Sequence, residues 1–209
     1  MWIKLFNWFV KLTAWPVQRA ILRLRIGEED PARSGRRARG PVIIVSNHNS
    51  VYDFAALMFT FFRRTLRVQM AEVLFEKRVL EPFLRMLGGI RVDREAHSLQ
   101  SLRRAQALLE EGWAVGIFPE GRLALPGEEK PLPFRPGAAL LALESGAPVV
   151  PVALRGAYFR EPIRVRVGAP MDLRALTADI ADPREAALRA TDLLREKITA
   201  LGEELDHGA

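Results

Sequence analysis

His48 and Asp53, five positions apart, are the residues in this chain best suited to moving a proton. An imidazole near its ordinary pKa is mostly neutral at pH 7 and can take the proton of an alcohol as that alcohol attacks a carbonyl. A carboxylate on the other ring nitrogen fixes the tautomer and stabilises the imidazolium that forms. Such a pair needs no nucleophile from the protein, because the hydroxyl of the substrate attacks. Ser46 and Ser50 lie nearby, but neither sits in a Gly-x-Ser-x-Gly elbow, so both read as turn and cap residues. Taken alone, the spacing equally fits a histidine that caps a helix or bonds the backbone.

Two further clusters carry groups that could hold an anion. Phe118-Pro119-Glu120-Gly121-Arg122 joins a glycine, which lets backbone approach a ligand, to a guanidinium able to grip phosphate with two bonds. Gly88-Gly89-Ile90-Arg91-Val92-Asp93-Arg94 is a glycine turn and short strand ending in a second arginine. Each is also compatible with a tight turn bearing a solvated charge. The three histidines, His48, His97 and His207, lack metal-ligand spacing, and the chain has no cysteine. No metal site, thiolate nucleophile or disulfide framework is therefore expected.

The elements that must position these groups follow from periodicity. Residues 41–46 form a short β-branched run, so His48 falls at the carboxyl end of a buried strand, where open α/β sheets build their sites. Further strands are expected at 66–71, 90–92, 113–118, 149–154 and 163–167. Helices are expected at 53–62, 77–87, 98–111, 136–145 and 183–205, with Gly88, Gly112 and Gly146 just past the ends of three of them. Residues 119–135, with four prolines, read as a long loop. Strands alternating with helices predict an α/β layered domain with a largely parallel sheet flanked by helices.

The beginning of the chain has a different composition. In residues 1–15 the polar positions Lys4, Asn7 and Lys11 recur at helical spacing, while tryptophan, phenylalanine and aliphatic residues cover the remaining surface. A helix of about 15 residues spans roughly 22 Å, short of the roughly 30 Å hydrocarbon core of a bilayer. Such a helix should lie in the interface, with its tryptophans at the headgroup boundary. Pro16 kinks or restarts it, and a helix is expected to continue over 17–26. The stretch 27–40 reads as a basic linker. The expected division is therefore 1–26 as amphipathic docking helices, 27–40 as linker and 41–209 as a catalytic domain.

The net charge is +6, and residues 1–40 hold nine Lys/Arg against three acids, so the excess is confined to this end. That points to a polyanion partner, a membrane rather than nucleic acid, since the aromatic surface is continuous and the remaining chain is balanced. The expected placement is peripheral or monotopic, on the cytoplasmic face of the cell membrane. Packing of the first helix on the domain's own core is the alternative.

Taken in order, these segments resemble the glycerolipid acyltransferase family, whose best-known members make phosphatidic acid from lysophosphatidic acid. The first block of that family, Asn-His-x-x-x-x-Asp, is similar to Asn47-His48 through Asp53; the second, a glycine-rich strand ending Asp-Arg, to Gly88–Arg94. Phe118–Gly121 matches its Phe-Pro-Glu-Gly, and Phe134-Arg135-Pro136-Gly137 leading to Val150-Pro151-Val152 resembles the fourth block.

The resemblance implies a catalytic pair of His48 and Asp53. It implies that Glu120, Gly121, Arg122 and Arg94 hold the phosphate end of a lyso-lipid acceptor, most simply 1-acylglycerol 3-phosphate, with Arg91 as an added cation. The donor would be acyl-CoA or acyl carrier protein, used as a co-substrate and not as a cofactor. Two departures bear on the acceptor. Arg122 follows Gly121 directly, where the family usually has Thr and then Arg, and Arg91 replaces an apolar residue. Another lyso-lipid or glycerol phosphate as acceptor, or a non-catalytic membrane-binding module, are the competing readings.

Overall fold

The computed structural model describes residues 2–76, 78–92 and 99–207. Among these residues seven strands form one sheet in the order β1-β7-β6-β2-β5-β3-β4. They are β1 (Arg25–Glu28), β2 (Val42–Ser46), β3 (Leu66–Ala71), β4 (Gly89–Val92), β5 (Ala114–Ile117), β6 (Val149–Arg155) and β7 (Arg164–Val167). Every pairing is parallel except β6 with β7. The helices are α1 (Trp2–Thr13), α2 (Trp15–Ile21), α3 (Asp53–Thr60), α4 (Leu80–Leu87), α5 (Leu99–Glu110), α6 (Gly137–Ser145), α7 (Leu173–Leu176) and α8 (Pro183–His207).

The central strand β2 shows why the sheet is covered on both faces. Ile43 and Val45 point into one apolar layer, shared with Leu109 of α5, Leu141 of α6 and Leu194 of α8. Val42 and Ile44 point into the other, shared with Leu57 of α3 and Leu84 of α4. Alternation sends successive side chains to opposite faces, so a strand buried on both must be apolar throughout. Fully burying each such side chain stabilises the fold by roughly 1.5–3 kcal/mol relative to exposure. Two helix ends fall where the glycines predict: Gly88 and Gly146 cap α4 and α6 in the left-handed region, with φ of 102° and 70°. At Gly88 a Cβ would also collide with the carbonyl oxygen of Leu66.

The first forty residues are arranged differently from the sequence expectation. The continuous helix over 17–26 is replaced by a short α2 that stops at Ile21, followed by Arg23 at φ 46°, a left-handed turn that ends the helix. Arg25–Glu28 then pairs in parallel with β7, so the sheet begins inside the segments set aside for docking helices and linker. Within the expected linker, Gly35–Arg37 form a 3-10 turn whose Gly35 is buried.

The orientation of α1 is the larger finding. Its polar stripe faces the protein: Asn7 and Lys11 are both 1% exposed. Asn7 Nδ2 donates to Leu87 O at the end of α4 (3.0 Å), and Lys11 Nζ donates to the carbonyls of Phe61, Phe62 and Arg64, just beyond α3. Burial lowers the Lys11 pKa to about 8, and those oxygens give its ammonium the partners that a buried charge requires. The apolar side is left outward, with Trp2, Leu5, Trp8, Phe9 and Leu12 exposed, followed by the exposed Trp15 at the start of α2. Among the described residues no helix is long and apolar enough to cross a membrane.

Candidate active site

The candidate site lies at the carboxyl ends of β2 and β5, adjacent central strands. Past Ser46 the chain leaves the sheet, and Asn47 anchors it to β6: Nδ2 donates to Leu154 O (3.0 Å) and Oδ1 accepts from Leu154 N (2.8 Å). Asn49 adds a third bond, from Nδ2 to Leu154 O at 2.9 Å. A tight turn then delivers Asp53 to the start of α3, where a carboxylate is favoured by the helix dipole. Lys11 complements the opposite end of the same helix, so both termini of α3 carry the charge that suits them.

His48 Nδ1 and Asp53 Oδ2 are 2.9 Å apart. The Asp53 carboxylate is fully buried. It accepts from further donors: Asn49 N (2.6 Å) and Ser50 N (2.8 Å) on Oδ2, and the Tyr158 hydroxyl (2.7 Å) on Oδ1. An acceptor-only carboxylate at Nδ1 requires that nitrogen to carry the proton, which leaves Nε2 as the basic nitrogen. The imidazole stacks on Phe118, with ring centroids 4.2 Å apart and planes 17° from parallel. Burial and the neighbouring Asp53 charge push the Tyr158 pKa upward, so its hydroxyl remains a donor at neutral pH.

Glu120, which the resemblance implied at the phosphate end of the acceptor, is turned inward. It is 3% exposed, with Oε1 accepting from His48 N (2.7 Å) and Oε2 from Leu132 N (2.9 Å). It therefore fixes the backbone of the histidine and ties the 119–135 loop to the site; a carboxylate beside a phosphate would repel it. Burial raises its pKa, and the two N–H donors oppose that rise.

Gly121 turns the chain at φ 70° beside this pair. Arg122 forms a two-bond ion pair with Glu128 of its own loop (2.6 and 2.8 Å). That bond holds the Glu128 carboxyl down to about 2. Arg91 lies on the edge strand β4 and pairs with Glu72, on the face of the sheet opposite the one where Ile90 is buried. Arg94 lies outside the described residues.

Two residues at the site escape the sequence reading. Tyr158 comes from the turn after β6, 105 positions from Asp53, and no local pattern marks it. Arg135, within the recognised Phe134–Gly137 segment, lays its guanidinium over Gly121, where an added Cβ would lie 3.0 Å from Nε.

A cavity of about 410 Å³ opens beside the imidazole. Its lining includes His48, Phe118 and Gly121 at one part and Met70, Leu74, Leu80, Leu84 and Val92 elsewhere, so it is largely apolar, with His48, Tyr52 and Gln69 as its polar side chains among the described residues. The volume falls in the ordinary range of ligand sites. A base at the wall of an apolar cavity suits a reaction on the polar end of a long hydrophobic chain.

The sequence model of the family described as Acyltransferase matches residues 23–155. The chain is 27% identical over 196 residues to the 1-acyl-sn-glycerol-3-phosphate acyltransferase of Bacillus subtilis (strain 168), covering 90% of this chain and 94% of that one. It is 32% identical over 154 residues to the 1-acyl-sn-glycerol-3-phosphate acyltransferase beta of Homo sapiens, covering 72% of this chain and 51% of the human one. The fold is similar to the crystal structure of the 1-acyl-sn-glycerophosphate (LPA) acyltransferase PlsC from Thermotoga maritima. That likeness has a TM-score of 0.64 at 21% identity and covers 95% of this chain and 79% of the other.

Proposed function

Because the chain belongs to the acyltransferase family, we propose that it moves a fatty acyl group from a thioester onto the free hydroxyl of 1-acylglycerol 3-phosphate, yielding phosphatidic acid. The observation that carries this reading is the 2.9 Å bond between His48 Nδ1 and Asp53 Oδ2 at the wall of the apolar cavity. The relatives named as 1-acyl-sn-glycerol-3-phosphate acyltransferases support the acceptor.

In the proposed reaction the acceptor hydroxyl attacks the thioester carbonyl while His48 Nε2 takes its proton. Asp53 stabilises the resulting imidazolium, and its other three donors keep it from rotating away. The tetrahedral intermediate collapses with cleavage of the C–S bond, and the imidazolium returns its proton to the departing thiolate. The N–H groups of Asn49 and Ser50 are directed to Asp53 and so do not donate to the oxyanion. The acyl chain occupies the cavity lined by Met70, Leu80 and Leu84. Arg135, against Gly121, and the Arg122–Glu128 pair supply the cations near which the acceptor phosphate binds. Coenzyme A or acyl carrier protein serves as the carrier, with no cofactor or metal in the reaction.

The outward aromatic face of α1 docks the enzyme on the cytoplasmic face of the cell membrane, where the lyso-lipid resides. The engagement of Arg122 by Glu128 favours, as a second reading, an acceptor with a different headgroup. Incubation with labelled acyl thioesters and a panel of lyso-lipids, with products identified by mass, separates the two. Strict dependence on lysophosphatidate is expected, and equal use of other headgroups would overturn the assignment.

A further inference from the structure

A second and larger cleft, of about 980 Å³, lies at the other end of α3 from Asp53, between that end, α2, β1 and the 3-10 turn at 35–37. Among the described residues, five arginines line it, Arg19, Arg23, Arg36, Arg37 and Arg63, against a single carboxylate, Glu28. Two are committed within the protein. Arg36 bonds Glu28 (3.2 Å) and Thr60 O (3.0 Å), and Arg23 bonds Arg160 O (2.8 Å). Arg19, Arg37 and Arg63 are exposed and have no ion pair or side-chain hydrogen bond among the described residues. Like charges gathered without counter-charges repel, and a bound anion relieves that repulsion.

The rest of the lining tells which anion. Leu12, Trp15, Phe59 and Phe62 supply apolar wall; Leu12 also belongs to the exposed face of α1, and Trp15, exposed at the start of α2, adjoins it. The cleft is thus continuous with the surface read above as meeting the bilayer. A free phosphate would gain nothing from these walls, whereas a phospholipid places its phosphate among guanidinium groups and its glycerol and upper chains against apolar side chains. Gln18 adds a polar group: it is 7% exposed, lines the cleft, and its side-chain oxygen has no hydrogen-bond partner among the described residues. A buried acceptor without a donor costs stability, and a headgroup hydroxyl would satisfy it.

We propose that this cleft is a binding site for one anionic phospholipid of the bilayer, with a hydroxyl-bearing headgroup, distinct from the acceptor at the dyad. The proposal rests in part on the docking of α1. It adds a specific, saturable lipid contact to what would otherwise be diffuse attraction between a basic surface and an anionic one. Because Lys11 bonds the carbonyls that follow α3 while Phe59 belongs to α3 itself, a lipid held here seats the docking helix and the helix bearing Asp53 as one unit.

The test is titration of the purified full chain with dihexanoyl phosphatidylglycerol, below its micelle concentration, followed by tryptophan fluorescence. Binding should saturate near one lipid per chain, and inorganic phosphate or dihexanoyl phosphatidylcholine at equal concentration should not compete. The triple variant Arg19→Gln, Arg37→Gln, Arg63→Gln should bind at least about tenfold more weakly. Removal of equal charge from exposed positions of α8, by Arg184→Gln, Arg189→Gln, Arg195→Gln, should leave affinity within about twofold.

Equal weakening in both triple variants, competition by inorganic phosphate, or absence of saturation would each overturn the proposal. Sedimentation with phosphatidylcholine–phosphatidylglycerol vesicles reads the docking of α1 separately. A wild-type chain that binds the short-chain lipid and ignores vesicles would refute the docking while upholding the cleft.

Discussion

Replacing Tyr158 by Phe deletes one oxygen and one hydrogen bond, that to Asp53 Oδ1 at 2.7 Å. The length is that of a charge-assisted O–H···O⁻ bond, and hydrogen bonds to charged groups contribute about 1.5–3 kcal/mol. Asp53 is fully buried, so water cannot replace the lost donor without entering the site. Three donors remain, all on Oδ2, from His48, Asn49 and Ser50. The carboxylate therefore stays in place but gains freedom to rock about its bond to Cβ, and the imidazole rocks with it.

If the lost energy were felt wholly in the transition state, the rate would fall between about 10- and 150-fold. Because the bond exists before the acceptor binds, part of the loss appears as stability, and about tenfold in kcat is expected. KM for either substrate should hardly change, since the hydroxyl bonds the carboxylate and not a ligand. The assay is initial-rate phosphatidate formation over a range of both substrates, paired with urea unfolding, with Tyr52→Phe as control. The Tyr52 ring packs 5.6 Å from that of Tyr158, and its hydroxyl makes no hydrogen bond among the described residues. Unchanged kcat in Tyr158→Phe with reduced stability would refute the positioning argument and leave Tyr158 a packing residue.

Asp53→Asn should fold, because the amide oxygen can accept from His48, Asn49 and Ser50 while the Tyr158 hydroxyl reverses to accept from the new NH₂. Loss of the charge beside the forming imidazolium, worth about 4 kcal/mol at an effective dielectric of 20, should lower kcat by about a thousandfold in the same assay. Arg135→Gln should raise KM for lysophosphatidate severalfold with little change in kcat, whereas Arg91→Gln, which breaks only an edge-strand pair with Glu72, should alter neither. Lys11→Met strips the carbonyls beyond α3 of their donor and should cost about 1.5–3 kcal/mol in urea unfolding. It should also make α1 more accessible to protease.

How much of this could be read from sequence depended on whether the cause was local. The strand–turn–helix around His48 and Asp53 is written in consecutive residues: a β-branched run, a polar turn and an apolar helix, each visible by its own period. The helix-ending glycines at 88 and 146 are likewise local. The edge strand β1 is not, because its Arg-Ile-Gly-Glu has a single large apolar residue and one pairing partner, which makes it indistinguishable from a polar linker. Periodicity also gave α1 two faces without telling which turns inward. The answer lay in the unpaired carbonyls beyond α3, which Lys11 satisfies across some fifty positions of sequence. Glu120 and Tyr158 belong to the same class: what they do is set by His48 N and Asp53 Oδ1, which approach them only after the sheet has formed.

The central claim is that His48 is the base, and its most direct test is the rate of phosphatidate formation from lysophosphatidate and an acyl thioester by His48→Ala. General-base catalysis contributes roughly 10²–10⁴-fold, so turnover should fall by about that factor while circular dichroism and the urea midpoint remain those of a folded protein. Near-wild-type turnover by this variant would contradict the account.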